Sequence, residues 1–124
     1  ARKALEYSWL ADPYESAMLG MMFVPEHVFF QTLIIAECHE QSSIKDKKAL
    51  LKRVANNTKR LAKWSESCSE NYAHKYFISL ALQSWLLGKK EEAIARFKKA
   101  ISLARLHGYL FEEAIANEWL AKYW

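Results

Sequence analysis

The stretch Phe77–Ala100, FISLALQSWLLGKKEEAIARFKKA, decides how this chain folds. Turned at 100° per residue, its first part places Phe77, Ile78, Leu80, Leu82, Trp85 and Leu86 around the whole circumference of a helix. A helix that is apolar all round is covered on more than one side. Gly88 stops it. Glu91 and Glu92 then open a second helix, where carboxylates favour the positive end of the helix dipole. Along that helix Ala93, Phe97, Ala100, Ile101 and Ala104 form a narrow stripe of small residues around one ring. Small residues let two helix backbones approach closely, and the ring fills the space between them. The stretch therefore predicts a pair of antiparallel helices.

A repeat is visible, but not where it first suggests itself. EEAIA occurs at Glu91–Ala95 and again at Glu112–Ala116, 21 residues apart. That interval holds one helix and a turn, too little for a helix pair. The informative register starts at Phe77: Phe77, Leu80 and small Ala81, a turn at Gly88, then Ala93, aromatic Phe97 and Ala100. This is the tetratricopeptide packing pattern. Ser84 stands where a large aromatic is usual, and Arg105 where a proline often ends the unit. Asn117, Leu120, Ala121 and Trp124 take up the pattern 40 residues on, beyond the standard of about 34. The insert ARLHGY can supply the difference. The EEAIA segments are thus acidic helix starts followed by alanine faces, not copies.

Helices extend outward in both directions. ADPYES offers Asp12 as N-cap, Pro13 at the first helical position and Glu15 at the third, opening a helix to about Phe23. Pro25 opens another, PEHVFFQTLIIAECHE, ending near Glu40. Ser43, with Asp46 three residues later, caps a long helix over about Ile44–Ser67, and Ser69 caps the next. Gly108 ends the helix of residues 90–107, and a last one runs from about Leu110 to Trp124. No alternating strand pattern survives. With 124 residues, three Gly and two Pro, the expectation is one all-α domain over residues 1–124. Its architecture is read as a right-handed stack of antiparallel helix pairs, a tetratricopeptide-like α-solenoid fragment of a longer chain.

Composition narrows the function. The longest apolar run, Ala17–Val24, is too short to span a bilayer, so no membrane partner is expected. Cys38 and Cys68 lack metal-like spacing and read as reduced thiols of a cytoplasmic protein. Charge is uneven: residues 1–44 hold two basic and six acidic side chains, net −4, and residues 45–124 hold sixteen and eight, net +8. Much of the excess lies on the 44–67 helix. There Leu50, Leu51, Val54, Leu61 and Trp64 share one arc, and Lys45, Lys48, Lys52, Arg53, Lys59, Arg60 and Lys63 the opposite one. Such a face can bind phosphates, yet no stacking aromatics are interleaved with it. A solvated surface or contact with an acidic domain competes with nucleic acid.

The segments VPEHVFF, ENYAHKY and WLLGKKEEAIARFKKAISLARLHGYLFEEAIANEWLAKYW resemble the helical region of large bacterial signalling proteins. In that family a serine/threonine-kinase-like domain and a predicted ATPase precede the helical repeats, and GAF and histidine-kinase domains follow. The resemblance covers most of the chain, is strongest over Glu70–Trp124 and is loose before Pro25. It implies a non-catalytic regulatory scaffold between an ATP-driven switch and a sensor kinase, with protein partners. The alternative is a helical module of a transcriptional regulator that meets nucleic acid through the basic face of residues 45–63.

Chemical readings are weaker. CHEQSS (Cys38–Ser43) holds a His-Glu pair, as phosphoacceptor helices do, but lacks the basic, hydroxyl and proline residues that follow it there. His27 and Cys38 share a helix face three turns apart, too far for one zinc ion or for a catalytic pair. No catalytic residue, metal or cofactor is expected.

The best candidate site is a groove. Lys75, Ile78, Leu82 and Trp85 occupy the side that lines the concave surface in tetratricopeptide packing, joined by Ile115, Glu118 and Lys122. An apolar floor with a Trp and a charged rim suits a peptide or helix ligand; neighbouring helices of the full protein could equally cover it. At the end of the chain Ile115, Trp119, Leu120, Tyr123 and Trp124 leave more apolar surface than one helix buries, so the fragment is expected to form a homodimer through residues 110–124.

Overall fold

A computed structural model describes residues 2–12 and 23–122. Among the described residues six α-helices follow one another: α1 (Arg2–Ala11), α2 (Phe23–Cys38), α3 (Ile44–Ser67), α4 (Ser69–Leu86), α5 (Lys90–His107) and α6 (Leu110–Ala121). A short 3₁₀ turn, His39–Gln41, extends α2, and no strand occurs among the described residues. The protein is all-α. Among the described residues no helix is long and apolar enough to cross a membrane.

Local chemistry explains most boundaries. The Ser43 hydroxyl accepts a hydrogen bond from the Asp46 amide at 3.2 Å, which satisfies one of the unpaired donors at the start of α3. Gly88 and Gly108 have φ of 78° and 79°. In that left-handed conformation the chain folds back over the helix end, so Lys89 N–H reaches Ser84 C=O and Tyr109 N–H reaches Ala104 C=O, at 2.9 and 2.8 Å. Only glycine adopts this φ without strain. One expected cap is absent: Ser69 is the first residue of α4, whose N-cap position is Cys68, and no side chain caps it. The helix expected after Pro13 lies outside the described residues. Conversely α1, which the sequence reading does not contain, is a formed helix that buries Leu5 and Ser8.

Each helix packs on the next, and α4 also meets α2 and α6. Its all-round apolar surface is thus covered by four neighbours. Phe97 is wholly buried, in one cluster with Ala81, Ala93, Ala100, Val28 and Phe29, and Phe77 packs against that cluster. A smaller cluster joins Leu5 of α1 to Ile35 and Cys38 of α2 and Leu50 and Val54 of α3. Both thiols, Cys38 and Cys68, are unbridged.

Polar groups are buried between α1, α2 and α3, where they pair with one another. Gln31 donates to Ser8 Oγ at 2.8 Å and to Asp12 Oδ1 at 3.1 Å. Its carbonyl oxygen accepts from Arg53 Nε and Asn57 Nδ2, each at 3.0 Å. Asp12 binds the Arg53 guanidinium and His27 Nε2. Asp12 therefore acts at the end of α1 as the hub of a network. A fully satisfied network of this kind fixes how helices meet.

Candidate interaction surfaces

The groove expected over α4 is filled from within the chain. Ile78 and Leu82 are fully buried, and Val28 and Phe29 of α2 belong to the same cluster. Trp85 is half-buried with its ring edge-on to Trp119, 5.0 Å between centroids. Ile115 packs against the core. Glu118 and Lys122 are exposed, and Lys122 pairs with Glu37 of α2 at 3.1 Å while its ammonium lies 4.0 Å from the Trp119 ring centre. At the opposite end Phe30 of α2 and Phe111 of α6 bring their rings to 6.0 Å. Side chains of α2 thus reach both ends of α6. The covering helix is α2 of this same chain.

Lys75, expected on a rim, is only 3% exposed. Its ammonium lies 3.0 Å from Glu26 of α2 and 3.3 Å from Glu112 of α6, with the Tyr109 ring centre at 5.0 Å. It also donates to His74 Nε2 at 3.2 Å. That bond places the ring proton of His74 on Nδ1, which is buried without a partner. The His74 ring stacks on Tyr109 at 4.1 Å. Burial, then the charges of Lys75 and His107, lower the His74 pKa from 6.5 to about 3. His74 is accordingly neutral. One buried cation, the buried carboxylate of Glu112, the part-exposed carboxylate of Glu26 and a neutral ring tie α2, α4 and α6 together.

On α3 the basic face is largely as expected from the sequence. Lys45, Lys48, Lys52, Lys59 and Lys63 are exposed. The two arginines differ. Arg53 is committed to Asp12 and Gln31 and lies over the Trp9 ring at 5.2 Å, and Arg60 lies over Trp64 at 5.1 Å. An aromatic therefore does flank the basic face. Trp9 comes from α1, so a reading without that helix could not find it.

The remaining sites are structural. His27 bonds Asp12 at 2.9 Å, and Cys38 is buried in the α1–α2–α3 cluster. His39 sits half-buried at the 3₁₀ turn, and burial, with Lys47 nearby, lowers its pKa. Among the described residues no group of His, Cys, Asp and Glu gathers to hold a metal ion.

The apolar surface at the chain's end also differs from expectation. Trp119 is buried, and Ile115 and Leu120 are half-buried. The exposed apolar residues of α6 stand at its start, Leu110 at 75% and Phe111 at 57% exposure. Tyr123 and Trp124 lie outside the described residues.

Compared with protein-family models, with curated proteins and with solved structures, the chain finds no match.

Proposed function

We propose that this chain is a non-catalytic, tetratricopeptide-like scaffold that transmits state between domains of a bacterial signalling protein. One observation supports this most: the alternation of contacts. Helices α2, α4 and α6 meet one another, and α3 and α5 each pack on the two helices adjacent in sequence. Antiparallel helix pairs stacked side by side produce that alternation, and Phe97 fills the gap that Ala81 and Ala93 leave within one pair. Gln31, Asn57 and Asp12 bind side chains of neighbouring helices, which suits a strut.

The test uses the full-length product of the gene. Residues 2–122 are replaced by a Gly/Ser linker long enough to span the same ends. The flanking domains should keep their separate activities and lose the response of one to the state of the other. A response that survives replacement would remove the scaffold reading.

A further inference from the structure

A slot lies between α1 and α3. Trp9, Ala49, Leu50, Lys52, Arg53 and Asn56 line a cleft of about 300 Å³. It continues past Trp9, Ala49 and Leu50 into a second cleft of about 240 Å³ bounded by Arg2, Glu6 and Asp46. Sites for whole small ligands run from about 300 to 1,000 Å³, and the first cleft lies at the lower end of that range. The apolar lining comes from Leu50, Ala49 and the Trp9 indole.

The charge around it is one-sided. Lys45, Lys48, Lys52, Lys59 and Lys63 follow one another at intervals of three, four, seven and four residues, a stripe on one side of α3 roughly 27 Å long. None of the five pairs with a carboxylate among the described residues. Arg53, by contrast, is neutralised by Asp12 and covers one face of Trp9.

We propose that this slot docks an acidic peptide segment of a protein partner. One bulky apolar side chain enters beside Trp9, and flanking carboxylates meet the lysine stripe. Charge complementarity fixes the sign of the occupant. The apolar lining and the covered indole favour peptide over nucleic acid, whose bases need an open aromatic face to stack on. At the far end two carboxylates, Glu6 and Asp46, stand against one cation, Arg2, so the acidic residues of the peptide lie toward Lys52 and Asn56. The inference rests on the scaffold reading and specifies its contact surface.

Fluorescence anisotropy with three labelled probes tests it. These are a glutamate-rich peptide with a central Leu-Phe pair, the same peptide with that pair replaced by Ala, and a single-stranded oligonucleotide of equal charge. The anchored peptide should bind about tenfold or more tighter than either other probe. Lys52→Glu with Asn56→Glu should weaken it by about tenfold or more. Ala49→Arg, at an exposed helix position, should block the slot without disturbing the fold, and Lys99→Glu on α5 should change nothing. Equal binding of the two peptides, equal or tighter binding of the oligonucleotide, or indifference to Lys52→Glu and Ala49→Arg would overturn the proposal. If linker replacement uncouples the flanking domains while Lys52→Glu does not, the slot fails and the scaffold stands.

Discussion

Lys75 and His74 show what single residues contribute. Lys75 is a buried cation whose neutralising partners come from two other helices, Glu26 and Glu112. Removing it alone leaves Glu112 buried and uncompensated, so Lys75→Met should cost about 3–5 kcal/mol in urea denaturation. Adding Glu112→Gln should restore a large part of that loss, because the stranded charge goes with it. A single mutant as stable as the parent would show that the pair is open to water. His74 sets a pH dependence. Its folded pKa is depressed, so its contribution is complete above the unfolded value of 6.5 and is lost as pH falls toward about 3. Over that window the unfolded chain binds the proton that the folded one refuses. Stability should fall by up to about 1.4 kcal/mol per pH unit from this residue alone. His74→Phe keeps the stacking on Tyr109, removes the proton site and should flatten the thermal-denaturation profile between pH 6.5 and 4.5. An unchanged slope would place the titration elsewhere. Neither role was legible from sequence. A lysine reads as solvent-facing by default, and the carboxylates that bury it lie far away along the chain.

At the scale of elements, the α4–α5 pair was the most legible part, because local signals agree there. Gly88 and Gly108 sit where only positive φ ends the helices, and Ala93, Phe97 and Ala100 mark the facing stripe. Ser43 and Asp46 likewise marked the start of α3. Helix α1 carries no such cap signal and was missed, and Trp9 with it. Helix α2 is apolar nearly all round, so periodicity could not say which neighbour it covers; the answer, α4, closed the expected groove. The same limit applied to Trp119, whose exposure depends on Trp85 and Lys122. Association through α6 should therefore use its start. Any dimer seen by light scattering at micromolar concentration should dissociate on Leu110→Ser with Phe111→Ser. Trp119→Ser should instead unfold the core, at about 3–5 kcal/mol. A dimer indifferent to the first pair of changes would place the contact on another face.

At the scale of the whole molecule, the exposed lysines of α3 are the surface on which the nucleic-acid alternative turns. Phosphate-driven binding through the α3 stripe weakens steeply with salt. DNA should bind weakly and without sequence preference, and release near ~150 mM salt. Tight binding there, abolished by Lys52→Glu with Arg60→Glu, would favour a nucleic-acid module instead. The scaffold account itself is tested most directly by isothermal titration calorimetry. ATP, and the protein segments that the account places on either side of the chain, are each titrated into it at that ionic strength. The account predicts no heat with ATP, and binding of at least one segment with a Kd tighter than ~100 µM, enough for a contact sustained by tethering. Micromolar ATP binding with no heat from either segment would contradict it.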